Sequence, residues 1–149
     1  MNAQNFLSEK NLQMLFELHH RQLNETQMQI QSITEKGSAL ILLLTGWVVL
    51  SDSTPNIELK VVLALGIIVF SISASLLLIG HANGRRRIAL VVDRINNQLG
   101  LFSESESGES LYPSHWKNFG QRSIFEIVGS HIFTILVVAI FAIVAVSIK

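Results

Sequence analysis

Residues 36–52, KGSALILLLTGWVVLSD, decide how this chain folds. Lys36 and Asp52 bracket fifteen uncharged residues, and the amphipathic segment before them runs in with no proline between. That continuity predicts one long helix that starts in water and ends across a bilayer. At 1.5 Å rise per residue the uncharged run is roughly 22 Å long, short of a hydrocarbon core about 30 Å thick. Lys36 can extend its ammonium outward along an aliphatic stem, and Ile33 can lengthen the apolar surface by one turn.

Two further apolar runs lie downstream. A short polar turn, SDSTPNIELK at 51–60 with Pro55 as its breaker, returns the chain into twenty uncharged residues at 61–80. The third run is 127–148, followed by Lys149. With 149 residues, 49% of them hydrophobic, and a mean hydropathy of +0.43 concentrated in blocks, the composition is that of a membrane protein forming one unit. The expected fold class is an all-α integral membrane protein: three transmembrane helices, with cytosolic helical extensions of the first and second spans. The expected organisation is a cytosolic amphipathic helix (1–36), a first span (37–51), an external turn (52–60), a second span (61–80), a cytosolic helical segment (81–127) and a third span (127–148).

Eleven basic and eleven acidic side chains cancel, so no bulk positive field draws in a nucleic acid polymer. The absence of cysteine excludes disulfides, thiolate catalysis and cysteine-based zinc sites. The first apolar run begins after a long segment containing Glu9, Glu17, Glu25 and Glu35, and a cleavable secretory signal is therefore not expected.

Before the first span, residues 8–36 read as helix, with Ser8 or Asn11 as the cap and no glycine or proline until Gly37. Leu12, Phe16, His19, Leu23, Thr26, Ile30 and Ile33 follow alternating steps of four and three, the stripe that one helix offers another. The stripe has two uses: folding back on the same chain or onto the membrane surface, or binding a second copy or a cytosolic partner protein.

After the second span, Gly80, Gly84 and the triplet Arg85, Arg86, Arg87 lead out of the membrane. Ile88, Val91, Val92, Ile95, Leu99 and Phe102 then recur at helical spacing, predicting a second juxtamembrane helix able to pack on the first in a small bundle. SESESGES at 103–110 reads as a flexible acidic loop. An interfacial helix is expected over 114–126, capped by Ser114 and mixing Trp116, Phe119 and Phe125 with His115, Lys117 and Arg122.

Orientation follows from basic residues. Lys10, Arg21, Lys36, Arg85, Arg86, Arg87, Arg94, Lys117 and Arg122 fall on one side of the spans, against Lys60 and Lys149 on the other. The N-terminus and the central segment should therefore face the cytoplasm and the C-terminus the exterior.

No phosphate loop, H-E-x-x-H or nucleophile elbow occurs, so no enzymatic activity, cofactor or metal is expected. His19 and His20 point about 100° apart on a helix and cannot chelate one ion together. Ser71 and Ser75 lie on one face with Ala74, a strip that suits close helix packing or a pore lining. His131 is the ionisable group inside a span, one turn from its end, where a hydrogen bond to a neighbour competes with a proton-sensitive or pore-facing role. Arg85, Arg86 and Arg87 suit anionic lipid and topology, and alternatively a nucleotide phosphate.

Residues 33–40, ITEKGSAL, are similar to the lysine-small-small-apolar approach to the first span in small bacterial membrane effectors. Together with the long preceding helix, tight turn, cytosolic helical segment and last span, they make the chain resemble the transmembrane effectors of cyclic-pyrimidine (Pycsar) antiphage systems and, more loosely, the SLATT effectors of nucleotide-signalling operons. The resemblance implies an oligomer in the inner membrane that answers a cytosolic signal, such as a cyclic nucleotide, by making the bilayer leaky.

Overall fold

The computed structural model describes the backbone of residues 3–99 and 119–149, and the side chains of 10–99 and 120–149. The acidic loop 103–110, Ser114, His115, Trp116, Lys117 and the side chain of Ser8 lie outside the described residues. Within them the chain is all-helical, with three helices long and apolar enough to cross a membrane and no strand.

Helix α1 (Ala3–Leu50) runs 48 residues without interruption, roughly 72 Å. It begins five residues before Ser8, so neither Ser8 nor Asn11 starts it, and Gly37 sits in its interior. Ser51 N–H donates to Trp47 O at 3.1 Å to close the last turn. Asn56 then starts the next helix in an extended conformation, its side chain accepting from Leu59 N–H at 2.9 Å.

Helix α2 (Ile57–Gln98) is also unbroken over 42 residues. Gly80 and Gly84 do not end it, and the expected juxtamembrane helix is the same rod as the second span. Each interior glycine costs only about 1 kcal/mol relative to alanine, less than packing at Leu78, Ala82 and Ala89 returns. The helix ends at Gln98, with Leu99 N–H donating to Ile95 O at 2.9 Å, and Phe102 lies outside the described residues.

A short 3-10 turn (Phe119–Gln121) precedes helix α3 (Ile124–Ile148). The described part of the expected interfacial helix 114–126 is therefore not one helix. Ser123 breaks it by forming a capping box: its hydroxyl accepts from Glu126 N–H at 3.2 Å while its own N–H donates to Glu126 Oε2 at 2.9 Å. Ile124 and Phe125 become the first turn of the third rod.

All three helices pack through seams spaced by threes and fours. Ile30, Thr34, Gly37, Ile41, Thr45 and Val48 are buried on α1, Ile67, Ser71, Ala74, Leu78 and Ala82 on α2, and Val128, Ile135, Ala139, Ala142 and Val146 on α3. Small residues in each seam let the backbones approach. A second cluster, Leu23 with Ala89 and Val92, flanked by Phe16 and Ile88, joins the polar half of α1 to that of α2.

Outside these seams the apolar stretches are bare. Only 28%, 22% and 22% of their residues are buried, and Leu43, Leu50, Phe125 and Phe141 are among the exposed side chains. Apolar surface this continuous exceeds what a monomer presents to water and calls for lipid or further protein to cover it.

Candidate functional site

Two polar junctions tie the three rods together, one inside the apolar core and one at the end of α2. In the first, Thr34 on α1 meets His131 on α3, Oγ1 to Nδ1, at 3.0 Å. Thr34 Oγ1 also lies 3.0 Å from Ile30 O and donates its proton there. That assignment leaves the threonine oxygen as an acceptor, so the imidazole must carry a proton on Nδ1. His131 is therefore half-buried and held by a helix 97 residues away in sequence. One turn beyond Thr34, Ser38 Oγ is buried with no hydrogen-bond partner among the described residues.

The second junction forms where the 3-10 turn docks on α2. Gly120 is buried, and its N–H donates to Asp93 Oδ2 at 2.7 Å. A Cβ at position 120 would lie 2.6 Å from Leu90 N and 2.8 Å from Ala89 C, both backbone atoms. Only glycine admits so close an approach. The bond joins a backbone amide to a carboxylate oxygen, a pairing that is short and directional.

The arginine triplet is spread round one helix. Lying inside the unbroken α2, its three side chains fan out by about 100° each. Arg86 and Arg87 are exposed, whereas Arg85 is half-buried. Burial, and next to it the like charge of Arg122, lower the pKa of Arg85 from its ordinary value. The cation that Arg85 shares space with is Arg122, a pairing that no spacing in the sequence announces.

The serines are satisfied within their own helix. Ser71 is buried and donates to Ile67 O at 2.7 Å, and Ser75, half-buried, donates to Ser71 O at 2.8 Å. Both bonds are of the kind that lets a hydroxyl sit at an apolar contact. On the α1 stripe, Leu23 and Ile30 are buried inside the protomer, while Leu12, Phe16, His19 and Ile33 are half-buried. The first two are covered by the chain's own helices and are not open to a partner in this arrangement.

His19 and His20 diverge. His19 Nδ1 lies 3.0 Å from Gln22 Oε1, and His20 stacks on Phe16 with ring centroids 5.7 Å apart. Among the described residues, no three histidine or carboxylate side chains converge on a point that could hold a metal ion.

The functional features that sequence reasoning missed are Gly120, Asp93 and the Ser123–Glu126 box. Only the box has a local signal, a serine followed three residues later by glutamate just before an apolar run. Gly120 and Asp93 are 27 residues apart, and nothing near either one marks the contact. No protein family, curated protein or solved structure matches the chain.

Proposed function

We propose that this chain is a non-enzymatic, oligomeric effector of the bacterial inner membrane, of the antiphage type its sequence resembles, which makes the bilayer leaky on a cytosolic signal. The N-terminus and the segment between α2 and α3 face the cytoplasm, and the C-terminus faces outward. One observation carries this reading: α1 and α2 each continue without a break from the cluster at Leu23, Ala89 and Val92 into the apolar core at Ile30, Leu78 and Ala82. A rearrangement of the polar bundle therefore cannot be absorbed by a hinge and must move the spans. The junction of Gly120 with Asp93 is the part of that bundle a signal has to disturb.

The test is reconstitution of the purified chain into liposomes loaded with a self-quenching dye. Release of dye on adding a cyclic nucleotide, or on raising protein density, is the expected outcome. Intact vesicles under every condition, with insertion verified, overturn the effector reading.

A second reading has its own observation. Met14, Leu15 and Leu18 are exposed on the polar half of α1, which suits a membrane anchor that recruits a cytosolic protein. A stoichiometric soluble partner lost on Leu18→Glu, with no toxicity on overexpression, favours the anchor.

A further inference from the structure

Three contacts fix the levels of the helices against one another. Lys60 Nζ donates to Ser147 O at 3.4 Å, aligning the start of α2 with the end of α3. Gly37 lies against the Phe70 ring, the tenth of the twenty uncharged residues at 61–80. Thr34 meets His131, the fifth of the twenty-two residues at 127–148. Those two runs are about 30 and 33 Å long, one hydrocarbon thickness each. Lys60 and Lys149 stand at one limit of that slab with Asp52, and Glu126 stands at the other, so the charges at both ends of α3 hold it in place.

Within this frame α1 is out of step. Its uncharged run of roughly 22 Å ends at Asp52 and begins only at Gly37, so Glu35 and Lys36 sit roughly 6 to 11 Å inside the slab. Both are exposed on the protomer. Lys36 can snorkel part of that distance, but the shorter Glu35, whose Oε1 accepts from Gln31 Nε2 at 2.8 Å, cannot. A carboxylate facing hydrocarbon at that depth is costly, and such groups normally face protein or water.

The two charges are opposite, at one level, and about 100° apart round the helix. One protomer can thus offer its carboxylate to one neighbour and its ammonium to the other, a head-to-tail contact that closes when the rotation suits. In a closed ring of parallel helices each member sees its two neighbours about 90° apart for four copies and about 108° apart for five. The buried seam at Thr34, Gly37 and Ile41 faces the opposite way, which puts α1 innermost and the other two rods outside. Along the same outward face, Met14, Leu18 and Met28 are exposed below the charges, and the small residues Ala39 and Gly46 follow above them. With Glu35 they are separated by four, ten, seven, four and seven residues, sums of the threes and fours that keep one helix face.

We propose that this outward face of α1 docks a second copy of the chain, Glu35 of one protomer against Lys36 of the next, in a ring of four or five with α1 at its centre. The proposal rests on the membrane-spanning reading above and specifies where the copies meet.

The chain has no cysteine, so an introduced thiol is unique. Ala39→Cys should oxidise to a disulfide-linked dimer in isolated membranes, whereas Phe133→Cys, exposed on α3, should not. In the Ala39→Cys background, Glu35→Lys alone and Lys36→Glu alone should each cut dimer yield by tenfold or more, and the double exchange should restore it. Native mass measurement of the detergent-solubilised chain should follow the same order, falling from four or five copies to one and recovering. A double exchange that fails to restore the dimer overturns the pairing. An inserted chain whose Ala39→Cys thiol reacts with a lipid-soluble maleimide but never dimerises shows lipid on this face and overturns the proposal. Labelling of Thr54→Cys by an impermeant maleimide from outside reports insertion separately. Its failure sinks the membrane reading itself rather than the ring alone.

Discussion

Gly120 gives its backbone N–H to Asp93 Oδ2 at 2.7 Å while pressed against the backbone of α2 at Ala89 and Leu90. This contact fastens the chain just before α3 onto the far end of α2, and it fixes how the third rod enters the bundle.

Gly120→Ala forces a methyl into backbone atoms that cannot turn aside. The cost should be about 1–3 kcal/mol, typical of an overpacked site. Asp93→Ala removes the acceptor and should cost about 1.5–3 kcal/mol, the range for a hydrogen bond to a charged group. Both changes should raise amide exchange at residues 119–121 while leaving the cluster at Ile135 and Ala139 protected. Equal exchange in wild type and Gly120→Ala would show that the turn is not held by this contact.

Thr34→Val keeps the shape of the seam but strips the oxygen that receives the His131 proton. A destabilisation of about 0.5–1.5 kcal/mol is expected in detergent unfolding, the net worth of one hydrogen bond at a half-buried donor. Thr34→Ser should stay near wild type. Adding His131→Leu to Thr34→Val should recover much of the loss, because both partners are then apolar, and a purely additive double variant would refute the coupling.

Leu23 joins the polar halves of α1 and α2, and Ile30 sits fully buried in the main core. Leu23→Ala and Ile30→Ala should each cost about 2–5 kcal/mol. The signatures should differ: Leu23→Ala opens the polar bundle to limited proteolysis near residues 16–24, whereas Ile30→Ala lowers the midpoint of the whole transition.

Ser71→Ala should be almost silent, within about 0.5 kcal/mol, because the hydroxyl serves only a carbonyl its own helix already uses. Ser71→Leu should cost about 1–3 kcal/mol by overfilling a buried position between close backbones. If Ser71 instead lined a water path, Ser71→Ala would lower conductance without altering stability, and liposome flux measures that directly.

Much of this architecture was readable from charge spacing alone. The rods announce themselves as charge-free runs, and the continuity of α1 through Gly37 follows from the lack of a proline between the amphipathic segment and the apolar one. Leu23 and Ile30 were legible as one face because a helix seam repeats by threes and fours. Other features were hidden for physical reasons. Gly80 and Gly84 look like an exit, yet a glycine weakens a long helix by too little to end it when both flanks are packed. Ser123 was overshadowed by the aromatic and basic residues before it, which suggested an interfacial helix running past the true cap. Thr34 with His131, and Gly120 with Asp93, are contacts between distant parts of the chain, set by how the rods stack rather than by any local pattern. Arg85 was grouped with its sequence neighbours, but helical geometry separates adjacent side chains and leaves Arg122 as its companion.

The unbroken course of α1 makes it a lever with its fulcrum near Gly37, where the Phe70 ring bears on it. From there the polar arm to Lys10 measures about 40 Å and the apolar arm to Leu50 about 20 Å. A rotation of about 5° moves the long tip by about 3.5 Å and the short tip by half as much, so weak forces applied at the polar end arrive doubled at the apolar one. A binding event that shifts Lys10 by less than one helical turn is thus enough to bear on Val48 and Leu50, with no loose joint in between to dissipate it.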